Sequence, residues 1–191
     1  MEQLRMIHKL KKLPPYTLAE GFTLRMYQPG DKSAWTDICS YGLLKEEELA
    51  DGWKNCMDIF ETLVAERDVY FICDKSGKAV ATSTAFATSE TVSLLHMVGA
   101  LPEARGNRLA TSMTAYGIRK MAQEMPDGER MMRLKTDDWR VSAVRAYLLC
   151  GFQPVLFDTG MQERWVALCD KLDIHGVEML DDEGNPTGMI L

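Results

Sequence analysis

Apolar positions along the chain change period several times, and each change marks an element. Gly21-Phe22-Thr23-Leu24-Arg25-Met26-Tyr27 alternates with a period of two, as a half-buried strand does, and stops at Pro29-Gly30. Past Asp31, placed to cap a helix, Trp35, Ile38, Cys39 and Leu43 recur at helical spacing. A second helical stretch is expected from Glu46 to Arg67, broken near Asp51-Gly52 and carrying Trp53, Met57, Phe60 and Val64. Val69–Cys73 and Ala79–Ala87 read as strands joined by the turn Asp74-Lys75-Ser76-Gly77, and Thr91–Val98 as a third strand. From Asn107 to Met125 the period is helical again, with Ala110, Met113, Thr114, Gly117, Met121 and Met125 in one stripe, until Pro126-Asp127-Gly128 stops it. Met131–Thr136 is a short strand, and Asp137 or Asp138 can cap the helix holding Ala143 and Tyr147. Gly151 stands where a left-handed C-terminal cap belongs, and Phe152–Phe157 returns as a strand. After a short helix, Arg164–Lys171, two apolar runs flank the turn-rich stretch Asp181–Gly188 and read as a terminal hairpin.

Composition narrows the class. A chain of 191 residues, 46% hydrophobic and 26% charged, suits one soluble domain with a sizeable core. No apolar run approaches the ~20 residues of a membrane helix. Met1–Leu13 is rich in Lys and His but lacks the apolar centre of a signal peptide, so a cytoplasmic protein with no membrane partner is expected. Five widely spaced cysteines include no Cys-x-x-Cys pair, and three scattered histidines lack ligand spacing. Buried free thiols and no metal site follow. The net charge of −6 sits in the tail, where eight acids from Asp158 onward face two bases. Within Pro102–Arg145 bases outnumber acids, which fits an anionic ligand. No basic face of the kind a nucleic-acid binder carries is visible.

Two segments carry candidate chemistry. Leu94 to Ala110 reads Leu-Leu-His-Met-Val-Gly-Ala-Leu-Pro-Glu-Ala-Arg-Gly-Asn-Arg-Leu-Ala, a strand entering a helix through an Arg-Gly turn. The start of a helix offers unpaired N–H groups and partial positive charge, a natural seat for phosphate. About thirty residues on, Trp139-Arg140-Val141-Ser142-Ala143-Val144-Arg145-Ala146-Tyr147 leads into Cys150-Gly151-Phe152. Together they resemble the acyl-CoA-binding half of the GNAT acetyltransferase superfamily, in its bacterial type. The first resembles the family's Arg-Gly-x-Gly-x-Gly/Ala loop, with Arg108 at the middle glycine position, and the second its Ala-x-x-x-Tyr helix ending in Gly-Phe.

The resemblance implies an α/β (α+β) fold, a central mixed and mostly antiparallel sheet with helices on both faces, plus the C-terminal hairpin extension. One domain over 1–191 is expected, with its core at 21–157, an N-terminal extension at 1–20 and an acidic C-terminal extension at 158–191. It further implies acetyl-CoA as cosubstrate. Backbone groups of Met97, Val98 and Ala100 would pair with pantetheine, and one N–H would face the thioester carbonyl. Arg105, Gly106, Asn107, Arg108, Leu109 and Ala110 would hold the diphosphate. Arg108 keeps its N–H donor there only if its φ is helical. Tyr147 would protonate the departing thiolate, since a phenol of pKa ~10 facing a thiol of pKa ~8.5 is a workable donor.

Other roles stay open. Arg140 and Arg145 would meet CoA phosphate or remain surface charge. The general base would be His96, whose pKa lies near neutrality, or Glu90 at the strand edge. Tyr41, Trp53 and Trp35 would line the acceptor pocket or pack the core. The expected activity is acetyl transfer to a primary amine of a small molecule or peptide, by direct attack in a ternary complex. The acidic balance hints at a cationic amine, though most of that charge lies in the tail. The terminal hairpin could pair with a second copy as a homodimer. A non-catalytic acyl-CoA-binding module and a plain interaction domain are the other readings.

Overall fold

A computed structural model describes residues 2–191. Seven strands form one sheet in the order β2-β3-β4-β5-β6-β1-β7. They are β1 (Leu4–His8), β2 (Thr23–Met26), β3 (Val69–Cys73), β4 (Ala79–Ala87), β5 (Val92–Ala100), β6 (Met131–Thr136) and β7 (Gln153–Pro154). Every neighbouring pair is antiparallel except β5 and β6. A separate hairpin, β8 (Val177–Leu180) with β9 (Pro186–Ile190), docks beside β7 through a bridge between Val155 and Leu180.

Alternation along the strands sends side chains to two faces, and helices cover both. On one face lies α4 (Leu109–Glu124), where the Tyr70 hydroxyl donates to the Met113 carbonyl at 2.8 Å. Gly117 lets this helix approach closely, because a Cβ there would lie 2.7 Å from that hydroxyl and 3.0 Å from Leu95. On the other face α1 (Lys32–Ser40) and α2 (Gly52–Cys56) enclose an aromatic cluster. Trp35 and Trp53 meet edge to face at 5.1 Å, and Tyr27 stacks toward Trp53 at 5.4 Å. A short helix, α3 (Ala65–Asp68), leads into β3, while α5 (Val141–Leu149) and α6 (Met161–Leu172) follow β6 and β7. The mixed, mostly antiparallel sheet covered on both faces and the C-terminal hairpin are thus as the sequence implies.

Several local expectations change. Leu4–His8 forms a strand between β6 and β7, and the chain then crosses α4 to reach β2. Arg119 and Ser112 donate to the carbonyls of Pro14 and Thr17 on that crossing. Glu46–Arg67 is broken into short pieces, a 3-10 turn at Glu46–Glu48 and the helices α2 and α3, with turns between them. The carboxylate of Asp31 does not cap α1 but pairs with Arg25 at 2.6 Å. Asp138 and Asp137 are likewise taken by arginines, Arg164 and Arg140, and α5 starts without a side-chain cap. Gly151 has φ +91° and ends α5 in the expected left-handed conformation.

Candidate active site

Parallel pairing of β5 with β6 lasts only from Val92–Met131 to Leu94–Arg133, and beyond it the two strands separate. On its other side β5 skips register against β4. Thr82 pairs with Gly99 and Thr84 with His96, so Met97 and Val98 together face Ser83 alone. This is a β-bulge, and Met97 sits in it at φ +52°, a left-handed conformation that costs a side-chain-bearing residue about 1–2 kcal/mol. Separation and bulge together open a cavity of about 650 Å³ through the sheet. It is lined on one side by His96, Met97 and Val98, and on the other by Arg133, Leu134, Lys135 and Thr136.

The two ends of this cavity differ. Tyr147 and Ala143 of α5, with Arg140 just before that helix, reach it from the α4 side of the sheet. Tyr147 is 6% exposed, and burial raises its phenol well above the usual range despite the lowering influence of Arg140. Its hydroxyl therefore stays protonated at every ordinary pH. From the opposite face come Leu43, Phe60 and His96. The His96 ring meets Phe60 edge to face at 5.5 Å, and its Nε2 lies 2.9 Å from the Cys56 carbonyl. A carbonyl only accepts, so Nε2 carries the hydrogen and Nδ1 keeps the lone pair. Burial pushes the His96 pKa below its ordinary value, the Cys56 bond opposing, and the ring is neutral at pH 7.

Of the residues singled out from the sequence, His96, Met97, Val98, Arg140 and Tyr147 line this one cavity. Ala100, at the end of β5, and the Arg105–Ala110 loop lie outside its lining. They form the junction into α4, whose first turn has no side-chain cap and begins after Arg108. Asn107 turns its amide back to the Ala104 carbonyl at 3.0 Å. Arg105 donates to the Tyr41 carbonyl at 3.2 Å, tying the loop to the end of α1. Arg108 has φ +56°, so the helical backbone that would have made it a simple replacement for glycine is not adopted. Gly106, at φ +85°, has open space where a Cβ would stand.

Other candidates fall away from the cavity. Glu90 sits in the exposed β4–β5 turn beside a different hollow, Trp35 and Trp53 are core residues, and Tyr41 is exposed. Arg145 binds the Leu172 carbonyl on α6. Cys150 is buried, its thiol pushed up to about 12 by burial, which leaves it unreactive. Among the described residues no group of His, Cys, Asp or Glu could hold a metal ion, and no helix is long and apolar enough to cross a membrane. Residues missed in the sequence are Arg5, Arg133, Lys135 and Asp182, all at the cavity. The alternation of Arg133 and Lys135 with Leu134 and Thr136 already put them on one face.

Comparisons with known proteins bear on the fold and the family. Two proteins named mycothiol acetyltransferase, from Sanguibacter keddieii and Streptomyces bingchenggensis, are 29% and 28% identical over 78% and 58% of this chain. Those alignments cover 49% and 37% of the relatives, so the chain spans half or less of their length. Among solved structures, a GCN5-related N-acetyltransferase from Sphaerobacter thermophilus superposes with a TM-score of 0.58 at 20% identity, over 80% of this chain and 48% of that one. A second, from Kribbella flavida, gives 0.53 at 18% identity, over 81% and 55%. These likenesses show the fold. The sequence pattern of the acetyltransferase (GNAT) family matches residues 33–152, from α1 through the end of α5, and the chain belongs to that family.

Proposed function

We propose that the protein transfers an acetyl group from acetyl-CoA to a primary amine, both substrates being bound together at the cavity between β5 and β6. Membership in the family implies an acyl-CoA donor. The names of the mycothiol acetyltransferase relatives support acetyl as the group moved. One observation carries the reading further. A single opening through the sheet has a protonated phenol at its α5 end and a neutral imidazole with a free Nδ1 on the opposite face.

The residues present fit such a donor. The uncapped start of α4 leaves N–H groups free for a diphosphate, and Gly106 lets a ligand approach the backbone. The β6-facing side of β5 beyond Leu94 has no strand partner, so an extended pantetheine arm can lie there as another strand would. When bound, acetyl-CoA supplies an activated acyl carbon and a thiolate leaving group. The bulge at Met97 and Val98 interrupts pairing with β4, and a backbone N–H there would face the carbonyl, where one oriented donor is worth about 2.7–4 kcal/mol in the transition state. The amine nitrogen forms the new N–C bond, the C–S bond breaks, and the nitrogen loses a proton. His96 Nδ1 accepts that proton, because the nitrogen becomes acidic as its lone pair is engaged. Tyr147 donates its hydrogen to the sulfur.

Mass-spectrometric detection of acetylated product across an amine panel tests this directly. Tyr147→Phe is expected to lower kcat about tenfold or more while the acetyl-CoA melting shift stays the same. Unchanged turnover would remove Tyr147 from the reaction. A melting shift with acetyl-CoA but no product from any amine would favour a binding module without catalysis, to which the altered Arg108 position also points.

A further inference from the structure

The wall of the cavity built from β1 and β6 carries charge that the transfer chemistry does not use. Antiparallel register sets Arg5 opposite Lys135 and Ile7 opposite Arg133, so Arg5, Arg133 and Lys135 share one face. Asp182, from the turn of the terminal hairpin, closes over that face and meets the arginines. Arg5 donates to its Oδ2 at 2.8 Å and to Glu2 at 2.6 Å. Arg133 donates to the Asp182 carbonyl and holds its Nη1 3.8 Å from Oδ1. The acidic extension therefore does reach the site, but as a brace between guanidiniums.

Among the lining residues the count runs strongly positive. Arg5, Arg133, Lys135 and Arg140 face Asp182 alone, and His96 is neutral. Outside the lining, Glu2 offsets part of Arg5 and Asp137 offsets Arg140. Lys135 is exposed on this wall and forms no ion pair among the described residues. Arg133 Nε is buried without a hydrogen-bond partner. A chain of net charge −6 thus keeps at this opening one lysine without an ion pair, Lys135, beside Arg133 with its unsatisfied Nε. Both stand on the β6 side of the cleft, opposite His96, and the Arg105–Ala110 loop is outside the lining, so a diphosphate at that loop does not account for them.

We propose that this wall selects the acceptor, an amine that also carries an anionic group, carboxylate or phosphate, held by Lys135 and Arg133. The inference rests on the acyl-transfer reading and reverses the hint of a cationic amine that the acidic composition gives. The test uses matched pairs differing only in the anion: alanine against alaninamide, and glucosamine 6-phosphate against glucosamine. Binding is measured by calorimetry on the full chain with and without CoA. At low salt the anionic member of at least one pair should bind tenfold or more tighter, and which pair responds separates carboxylate from phosphate. Lys135→Gln should bring that ratio close to one with the same acetyl-CoA melting shift. Equal or tighter binding of both neutral members, no binding by any of the four, or an unchanged ratio in Lys135→Gln overturns the proposal. Loss of acetyl-CoA binding alone sinks the donor reading, while the anion preference is still read in the CoA-free arm.

Discussion

Lowering the pH should destabilise this fold through His8. The residue ends β1, is 3% exposed, and packs its ring 5.6 Å from Phe152. Nδ1 accepts the Leu10 amide at 3.0 Å, so the fold uses the neutral ring. Burial lowers the His8 pKa from 6.5 to about 4, with a backbone hydrogen bond at Lys12 opposing. Below pH 6.5 the unfolded chain takes up a proton that the folded one refuses. The stability this group contributes is therefore complete above pH 6.5 and drains as pH falls toward 4. A gap of ~2.5 units is worth at most about 3.4 kcal/mol, and at pH 5 the loss is about 2 kcal/mol. Against a total of ~5–15 kcal/mol for an ordinary domain, that is readily measured. Urea unfolding between pH 7.5 and 5.0 should be compared for the native chain and His8→Asn, whose Oδ1 replaces Nδ1 as acceptor. The variant should lose about 2 kcal/mol less over that range. His96 titrates in the same direction but is common to both proteins and cancels. Parallel pH profiles for the two chains would refute the assignment.

Three other substitutions probe the frame of the site. Gly117→Ala would place a Cβ 2.7 Å from the Tyr70 hydroxyl and 3.2 Å from Ala85, and overpacking should outweigh the ~1 kcal/mol gain in helix propensity, giving a net loss of about 1–2 kcal/mol in urea unfolding. Arg108→Gly relieves a left-handed residue worth about 1–2 kcal/mol and gives back part of it through a freer unfolded chain, so Tm should rise slightly. A clear fall would mean that the arginine side chain holds the loop. Lys120 lies 6% exposed between Asp68 at 3.1 Å and Glu124 at 2.7 Å. Lys120→Met should cost about 3 kcal/mol, the low end for a broken buried pair, because Arg67 and the Val64 amide still bond Asp68.

What could be read from the sequence was what local patterns encode. The β3–β4 hairpin, the stripe of α4, the cap at Gly151 and the terminal hairpin each rest on contacts within about twenty residues. β1 escaped notice because it is five residues long, its partner β6 lies far along the chain, and Ile7 and His8 are both buried, which breaks the alternation. The stretch from Glu46 to Arg67 misled for a related reason. Phe60 leaves the helical stripe to meet Phe86 and His96 across the sheet. Asp31, Asp137 and Asp138 had the right spacing for caps, but tertiary arginines claimed their carboxylates. The same limit applies at the site. Tyr147 and the β5 residues were found by motif, whereas the Asp182 brace joins segments that no spacing rule connects.

The junction from β5 into α4 shows what the fold gives up for its opening. Among the described residues four non-glycine residues have positive φ, and two of them, Met97 and Arg108, stand at its two ends. Glycine at either place would remove strain of about 1–2 kcal/mol, so stability alone does not explain the side chains. Met97 packs against the core and lines the cavity, and its conformation is what lets β5 carry an extra residue past Ser83. Straightening it would restore pairing with β4 and shift every later side chain of β5 to the opposite face. The opening also needs β6 held away from β5, and β1 does this by pairing with β6 along five residues where β5 pairs along three. The N-terminal strand and the hairpin that braces Arg5 and Arg133 thus keep the far wall in place, and the bulge shapes the near one.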